Sequence, residues 1–395
     1  MKARYSYRIY PTLIQQRALA QLFGCVRIVH NDALALCRYD GIVKTSILQK
    51  LFITLAKKTK SRSWLSEVSA IPLQQSITDL GVAFKNFFAG IKTGRKVGYP
   101  QFKKRSNKQS ARFTRGGFSL KKGKVYLAKI GLLKTKWSRK LPSVPSSVTV
   151  IKDCASRYFL SFVVDVELIS KPVLRESIGI DLGVKVFSAS SINEKIYSPD
   201  YSKIERKISK IQKQLSRCLK GSKRRNKVRL KLARLHAKLA DTRKDFLHKL
   251  STRLISENKI VVLEDLAVSN MVKNRKLARA ISRCGWSMFR TMCESKAKQY
   301  LDREVRVVSR WEPTSQVCSS CGYRWGKLDL SVREIKCISC GENHDRDVNA
   351  AKRLNNVGVG HIHDTKCSQR EGKTSSAHLY EARTHRLEGQ QFCLF

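Results

Sequence analysis

Apolar residues recur along this chain with two periods, and the switches between them divide it. Residues 1–10 alternate, with Tyr5, Tyr7 and Ile9 on one face, which predicts a short strand ended by Pro11-Thr12. From Thr12 the spacing is helical, through Leu13, Ala18, Leu19, Leu22, Phe23, Val26, Val29, Ala33, Leu34 and Leu36. Residues 46–55 and 72–88 repeat the theme, so 11 to about 88 is a helical region whose own spacing would suit a plain bundle. Residues 113–167 return to short strand-like runs at 118–120, 124–127, 148–150 and 158–166, split by Lys122-Gly123 and by 142–147. These predict a small β-barrel. If the first ten residues add a strand to it, the helical region is an insertion in that barrel.

The second half begins with SIGIDLGVKVFSASS at 177–191, a strand, a turn and a second strand. Residues 201–256 read as a helical hairpin. Ile204, Ile208, Ile211, Leu215 and Leu219 line one arm, Val228, Leu232, Leu235, Leu239 and Phe246 the other, and Gly221-Ser222 marks the turn. A short buried strand at 260–263 ends on Glu264-Asp265, 278–301 is helical, and 305–308 is another strand. Beyond about Val357 periodicity fails, and 358–395 reads as a mostly disordered tail.

Length sharpens this into two or three domains, since 395 residues exceed one ordinary core. No apolar run reaches membrane-spanning length, and the first residues lack the apolar core of a signal peptide, so a cytosolic protein is expected. Charge changes the picture most. Lys plus Arg is 79 against 30 acids, a net charge of +49, which points to a polyanionic partner and so to nucleic acid. The hairpin carries much of it: 20 of residues 201–260 are Lys or Arg with few acids to pair, as expected of a surface lying along phosphates. The loop following the first helical region interleaves Lys and Arg with Tyr99, Phe102 and Phe113, which suits either a base-stacking surface or a solvated linker.

There are 12 cysteines. Cys25, Cys37, Cys154, Cys218, Cys284, Cys293, Cys367 and Cys393 are scattered, while Cys318, Cys321, Cys337 and Cys340 form two Cys-x-x-Cys pairs with 15 residues between them. Each pair presents two thiolates from one tight turn, and two turns complete a tetrahedron for Zn²⁺. Gly322 and Gly341 follow the pairs, where such a turn needs backbone freedom. All four positions are protein, so this zinc is expected to be structural.

Three acids occupy chemically suggestive places. Asp181 ends an apolar strand, Glu264 ends IVVLE, and Asp347 opens a helix at VNAAKRL, where Asp is a favoured N-cap. Singly, each has a bland reading as a turn cap, a solvated acid or a helix cap. Together they could hold two Mg²⁺ or Mn²⁺ ions about 4 Å apart for in-line phosphodiester hydrolysis. Asp265 and Asp345 are rivals. Asp347 is preferred because a helix start fixes its direction, and Glu264 because it continues the strand's alternation less exposed to solvent.

With these residues in place, the chain resembles the TnpB proteins of bacterial and archaeal insertion sequences, relatives of type V CRISPR effector nucleases. The resemblance is carried by GIDLGVKVFSASS at 179–191, VVLEDLAVSNM at 261–271, PTSQVCSSCG at 313–322, DRDVNAAKRL at 345–354 and YRIYPTLIQQRALAQLFGCVRIVHNDAL at 7–34. It implies a multidomain α+β protein. A wedge-like barrel (1–10 and 108–170) would be interrupted by a helical recognition lobe (11–107). An RNase H-like, RuvC-type core (171–314 and 343–357) would carry the basic hairpin and a zinc-ribbon insert (315–342). It further implies Asp181, Glu264 and Asp347 as catalytic, metal-holding acids, a guide RNA transcribed from the element's end, and double-stranded target DNA as substrate. Sequence choice would then rest on base pairing. Two other readings stay open at this stage: a transposase using the same acids for strand transfer, and a non-catalytic nucleic-acid-binding accessory of transposition.

Overall fold

The computed structural model describes residues 1–360 except Lys96, Asn107, Lys122 and Leu330. The described chain divides into two compact units, one of Met1–Val166 with Ile211–Arg234, the other of Glu167–Lys210 with residues 235–360. Among the described residues no helix is long and apolar enough to cross a membrane.

In the first unit, strand β1 (Lys2–Ile9) pairs antiparallel with β8 (Tyr158–Asp165) along its whole length, from Lys2 opposite Asp165 to Ile9 opposite Tyr158. The chain's first residues therefore do join the later strands. With β2 (Gln109–Thr114), β6 (Thr135–Lys136) and β7 (Ser147–Lys152) they make a five-stranded sheet of order β2-β7-β8-β1-β6. Strands β3 (Phe118–Lys121), β4 (Lys124–Leu127) and β5 (Gly131–Leu133) form a separate small sheet. Between β1 and β2 the chain makes helices α1 (Leu13–Tyr39), α2 (Thr45–Gln49) and α3 (Ala70–Lys92), the expected insertion. Thr12 and Gln15 start α1 with a reciprocal capping box, which satisfies amides the first turn leaves without helical partners. The inward faces of α1 (Leu19, Leu22, Val26) and α3 (Leu73, Ile77, Leu80) share one core with Tyr7, Phe113 and Phe162 of the sheet.

This packing narrows one of the open readings. Phe113 is fully buried, Tyr99 packs edge-on against Phe84 and Phe87, and the Arg38 guanidinium lies 4.4 Å from the centre of the Phe102 ring. Phe113 and Tyr99 are thus engaged within the protein, while Phe102, 39% exposed, stays at the surface beneath Arg38.

The second unit is built on a mixed sheet of order β11-β10-β9-β12-β13. Strands β9 (Arg175–Leu182), β10 (Ser188–Ser190) and β11 (Lys195–Ile196) make an antiparallel meander, and β12 (Asn258–Glu264) and β13 (Glu304–Val308) run parallel to β9. Alternation gives the sheet two faces. Ile178, Ile180, Val261 and Leu263 meet Leu247, Leu250, Leu254, Phe289 and Met292 of the helices on one face. Val262 and Val308 meet Leu354 on the other.

The basic hairpin forms as α4 (Ser202–Ser216) and α5 (Lys223–Glu257). Leu219 falls beyond the end of α4 and is exposed, so it does not extend the apolar face. After the short α6 (Val268–Met271), the stretch expected to be one helix is two, α7 (Ala278–Cys284) and α8 (Trp286–Ala297), broken at Gly285. The last helix, α9 (Arg346–Val359), runs two residues past the expected end of order, and most of the predicted tail lies outside the described residues.

Candidate active site and metal centre

The register of two parallel strands brings the first two acids together. Ile180 of β9 pairs with Leu263 of β12, so the next residues, Asp181 and Glu264, are neighbours at the carboxyl ends of adjacent strands. Both point to the face that α9 covers, because they alternate with Gly179 and Val262. A Cβ on Gly179 would run into the α9 backbone at Ala351 and Asn355, and a Cβ on Gly358 of α9 would run into the Val262 side chain. Two glycines thus let α9 lie directly on the strands. Asp347, Ala351, Leu354 and Gly358 follow one stripe of that helix, which points Asp347, in its first turn, toward the strand-end acids.

The electrostatics register this convergence. Burial, together with the carboxylates of Glu264 and Asp347, pushes Asp181 up to about 7. Glu264 is also raised, first by burial and then by the charge of Asp265. The oxygens of the three acids do not all fall within 4.8 Å of one another. Hard carboxylate oxygens, two of the acids raised by burial, fit Mg²⁺ or Mn²⁺.

The rival acids are occupied elsewhere. Asp265 accepts a hydrogen bond from Arg290 at 2.9 Å and is forked by Arg310, and it is held below the usual carboxylate range mainly by Arg310. Asp345, not Asp347, caps α9, which corrects the sequence expectation: its Oδ1 accepts from the amides of Asp347 and Val348, both at 3.1 Å, and its Oδ2 from Lys195 at 2.5 Å. With the cap made by Asp345, the Asp347 carboxylate keeps, among the described residues, a loose ion pair with Arg333 at 3.7 Å.

The four cysteines come together as expected. Cys318 and Cys340 Sγ lie 3.8 Å apart, Cys321 and Cys337 Sγ 3.6 Å, and all four sulfurs fall within 4.8 Å of one another. A tetrahedral zinc with bonds of about 2.3 Å would space its sulfurs by about 3.8 Å, so the set fits the ion. The two turns mirror each other. The Gly322 amide donates to Cys318 O and the Gly341 amide to Cys337 O, with both glycines at positive φ (78° and 75°).

Several residues act here without a sequence signal that marked them. Asn349 of α9, 1% exposed, accepts from the Ser319 amide and donates to Val317 O, both at 2.8 Å, while Asn356 donates to Ser319 O. The first cysteine turn is thereby tied to the helix that carries Asp347. His344 is buried beside the sulfurs, its Nε2 3.1 Å from Cys318 Sγ.

A strand-end acid cluster, a cysteine knuckle tied to the adjoining helix and a strongly basic composition together define a nuclease-like α+β protein. Family comparison bears on which one. Residues 161–275 match the family described as "Probable transposase", 286–354 the "Cas12f1-like, TNB domain" and 1–40 a "Helix-turn-helix domain". A Streptomyces pristinaespiralis protein named "Putative RNA-guided DNA endonuclease" is 43% identical over 368 residues, spanning 91% of this chain and 90% of that one. The Escherichia coli K12 protein named "Putative RNA-guided DNA endonuclease InsQ" is 28% identical over 90% of this chain and 92% of its own. The fold is shared with the protein in the cryo-EM structure of a Cas12f1–sgRNA–target DNA complex, at TM-score 0.55 and 15% identity over 90% of this chain and 98% of that one. The chain belongs to the TnpB family.

Proposed function

We propose that this protein is an RNA-guided DNA endonuclease of a mobile element, hydrolysing phosphodiester bonds at Asp181, Glu264 and Asp347. The observation that carries the reading is the sorting of five acids: three converge, while Asp265 and Asp345 are neutralised by Arg290, Arg310, Lys195 and helix amides. The order of the second unit's sheet, a three-stranded meander followed by two parallel strands, supports the RNase H-like core that the sequence led us to expect. The first unit would serve as wedge and recognition lobe.

Bound at these carboxylates, Mg²⁺ or Mn²⁺ would supply charge stabilisation of the attacked phosphate and an activated water. The chain's own part is positional. Asp181 and Glu264 are fixed by strand register, and Asp347 by the close seat of α9 on Gly179. Lys195 holds Asp345 in the cap, so the first turn of α9 keeps its direction. The zinc of the knuckle is structural in this account, since four sulfurs leave no open position.

Guide RNA and target DNA would lie on basic surface, of which the first unit offers one concave piece. A cavity of about 740 Å³ is lined by Arg27, Arg105, Lys152 and Arg229 among others. The test is to purify the protein with the RNA it carries, sequence that RNA, and supply a plasmid bearing the matching sequence with Mg²⁺. A defined RNA and a linearised plasmid are expected. Copurification of no defined RNA would overturn the guided reading, and joined products with element-end DNA would replace hydrolysis by strand transfer.

A further inference from the structure

The cysteine knuckle holds one ligand more than a zinc ion needs. His344 lies in β15 (Asn343–Asp345), opposite Ile335 of β14 (Glu334–Lys336), and the second cysteine pair sits in the turn between these strands. Alternation turns Asn343 outward and His344 inward, leaving the ring 5% exposed. Its Nε2 stands 3.1 Å from Cys318 Sγ. The ligand atoms of Cys340, Glu342 and His344 also fall within 4.8 Å of one another, so the same imidazole neighbours two of the four sulfurs.

Distance settles what the ring does while four cysteines are in place. Two ligands of one tetrahedral zinc, a sulfur at about 2.3 Å and a nitrogen at about 2.0–2.1 Å, would stand about 3.6 Å apart. The Nε2–Sγ separation is shorter and fits an N–H donating to the thiolate, the kind of outer contact that holds a metal ligand in position. The four cysteines are not equally protected. Cys318 and Cys337 are buried, Cys321 is intermediate and Cys340 is exposed. The ligand most open to solvent is thus the one that shares a cluster with a buried imidazole.

We propose that His344 is a reserve ligand of this zinc site: it hydrogen-bonds Cys318 in the four-cysteine state and takes the place of Cys340 when that thiolate is lost. In the exchange the Zn–S bond to position 340 would break, its electron pair leaving on a sulfur that takes up a proton from solvent; the neutral ring would carry its proton on Nδ1 instead of Nε2, and the Nε2 lone pair would make the Zn–N bond. The product is Cys318, Cys321, Cys337 and His344, a three-sulfur, one-nitrogen set common in structural zinc sites. Glu342 is the competing substitute, but a thiolate-rich site favours imidazole over a carboxylate. The proposal rests on zinc binding at the knuckle and not on the nuclease reading. Its consequence is local: Asp345, the cap of α9, follows His344 directly, so retaining the metal keeps the start of the catalytic helix in place.

The experiment uses the full chain as wild type, Cys340→Ala, Cys337→Ala, His344→Leu, Cys340→Ala with His344→Leu, and Cys340→Ala with Glu342→Gln. Zinc per chain is measured by elemental analysis, and retention by competition with a chromophoric chelator. Co²⁺-substituted samples report the ligand set by absorption. One zinc in wild type establishes the knuckle independently. Cys340→Ala is then expected to keep its zinc, with Co²⁺ bands shifted toward a mixed sulfur–nitrogen set, and Cys337→Ala to lose it. His344→Leu alone should weaken retention roughly 10-fold or more, as removal of an outer-shell partner does. Adding His344→Leu to Cys340→Ala should abolish binding, whereas adding Glu342→Gln should not. The proposal is overturned if Cys340→Ala releases zinc as readily as Cys337→Ala. It is equally overturned if the Cys340→Ala, His344→Leu protein keeps zinc as well as Cys340→Ala does.

Discussion

Replacing Gly179 with alanine tests whether the seat of α9 on β9 is what assembles the acid site. A Cβ there would stand 2.7 Å from the Asn355 amide nitrogen and nearer still to the Ala351 carbonyl oxygen. Both are backbone atoms of a buried helix, so neither can rotate away. Carbon–oxygen contacts settle at about 3.3 Å or more, so strand and helix must part by about 1 Å. Overpacking of this kind costs about 1–3 kcal/mol. The larger effect falls on chemistry, because Asp347 rides on α9 one turn from the contact and a misplacement of about 1 Å costs about 100-fold in rate. The assay is single-turnover cleavage by the RNA-loaded protein, with target binding and thermal melting measured alongside. Gly98→Ala serves as control, since its Cβ would enter open space. A cleavage rate lowered about 100-fold with target binding retained is the expected result. Wild-type cleavage by Gly179→Ala would refute the idea that this close approach sets the position of Asp347.

Other predictions follow from the same geometry. Asp181 is raised in the fold by burial and by Glu264 and Asp347, so the folded state holds a proton that the unfolded chain releases between about pH 4 and pH 7. Its contribution to the stability of metal-free protein therefore falls as pH rises through that window; Asp181→Asn should raise the metal-free melting temperature at pH 8 while abolishing cleavage, and a lower melting temperature would count against the acid cluster. Asp345→Ala should cost about 1 kcal/mol of stability through loss of the α9 cap, whereas Asp347→Ala should abolish cleavage and leave melting nearly unchanged; cleavage lost only in Asp345→Ala would reverse their roles. His30, buried between α1 and α3 with its ring facing Ser76 O, is lowered to about 4 by burial and then by Lys103. Its neutral form supports the fold fully above about pH 6.5 and progressively less as pH falls toward 4, by up to about 3 kcal/mol. Urea melts of His30→Leu should lose that part of the acid sensitivity, and an unchanged pH slope would refute the assignment.

What could be read from the sequence was what is local or periodic. Strand-end Asp181 and Glu264 were legible because apolar runs stop at them, and the cysteine turns because their spacing is set by the turn itself. The cap of α9 was not: DRD offers two aspartates with the same capping chemistry, and choosing between them requires knowing where the helix starts to within one or two residues. Phe113 carried both readings, as an aromatic among cations and as the first residue of the strand-like region. The sheet core, formed with strands far along the chain, decided it. Gly179 and His344 had no signal at all, because a close approach or a fifth ligand is defined by a partner distant in sequence.

The most direct test of the central claim is cleavage of a plasmid matching the copurified RNA, with Mg²⁺, by wild type and by Asp181→Ala, Glu264→Ala and Asp347→Ala. All four proteins should bind the target, and only the wild type should cut it. Cleavage by Asp181→Ala at the wild-type rate would contradict the account.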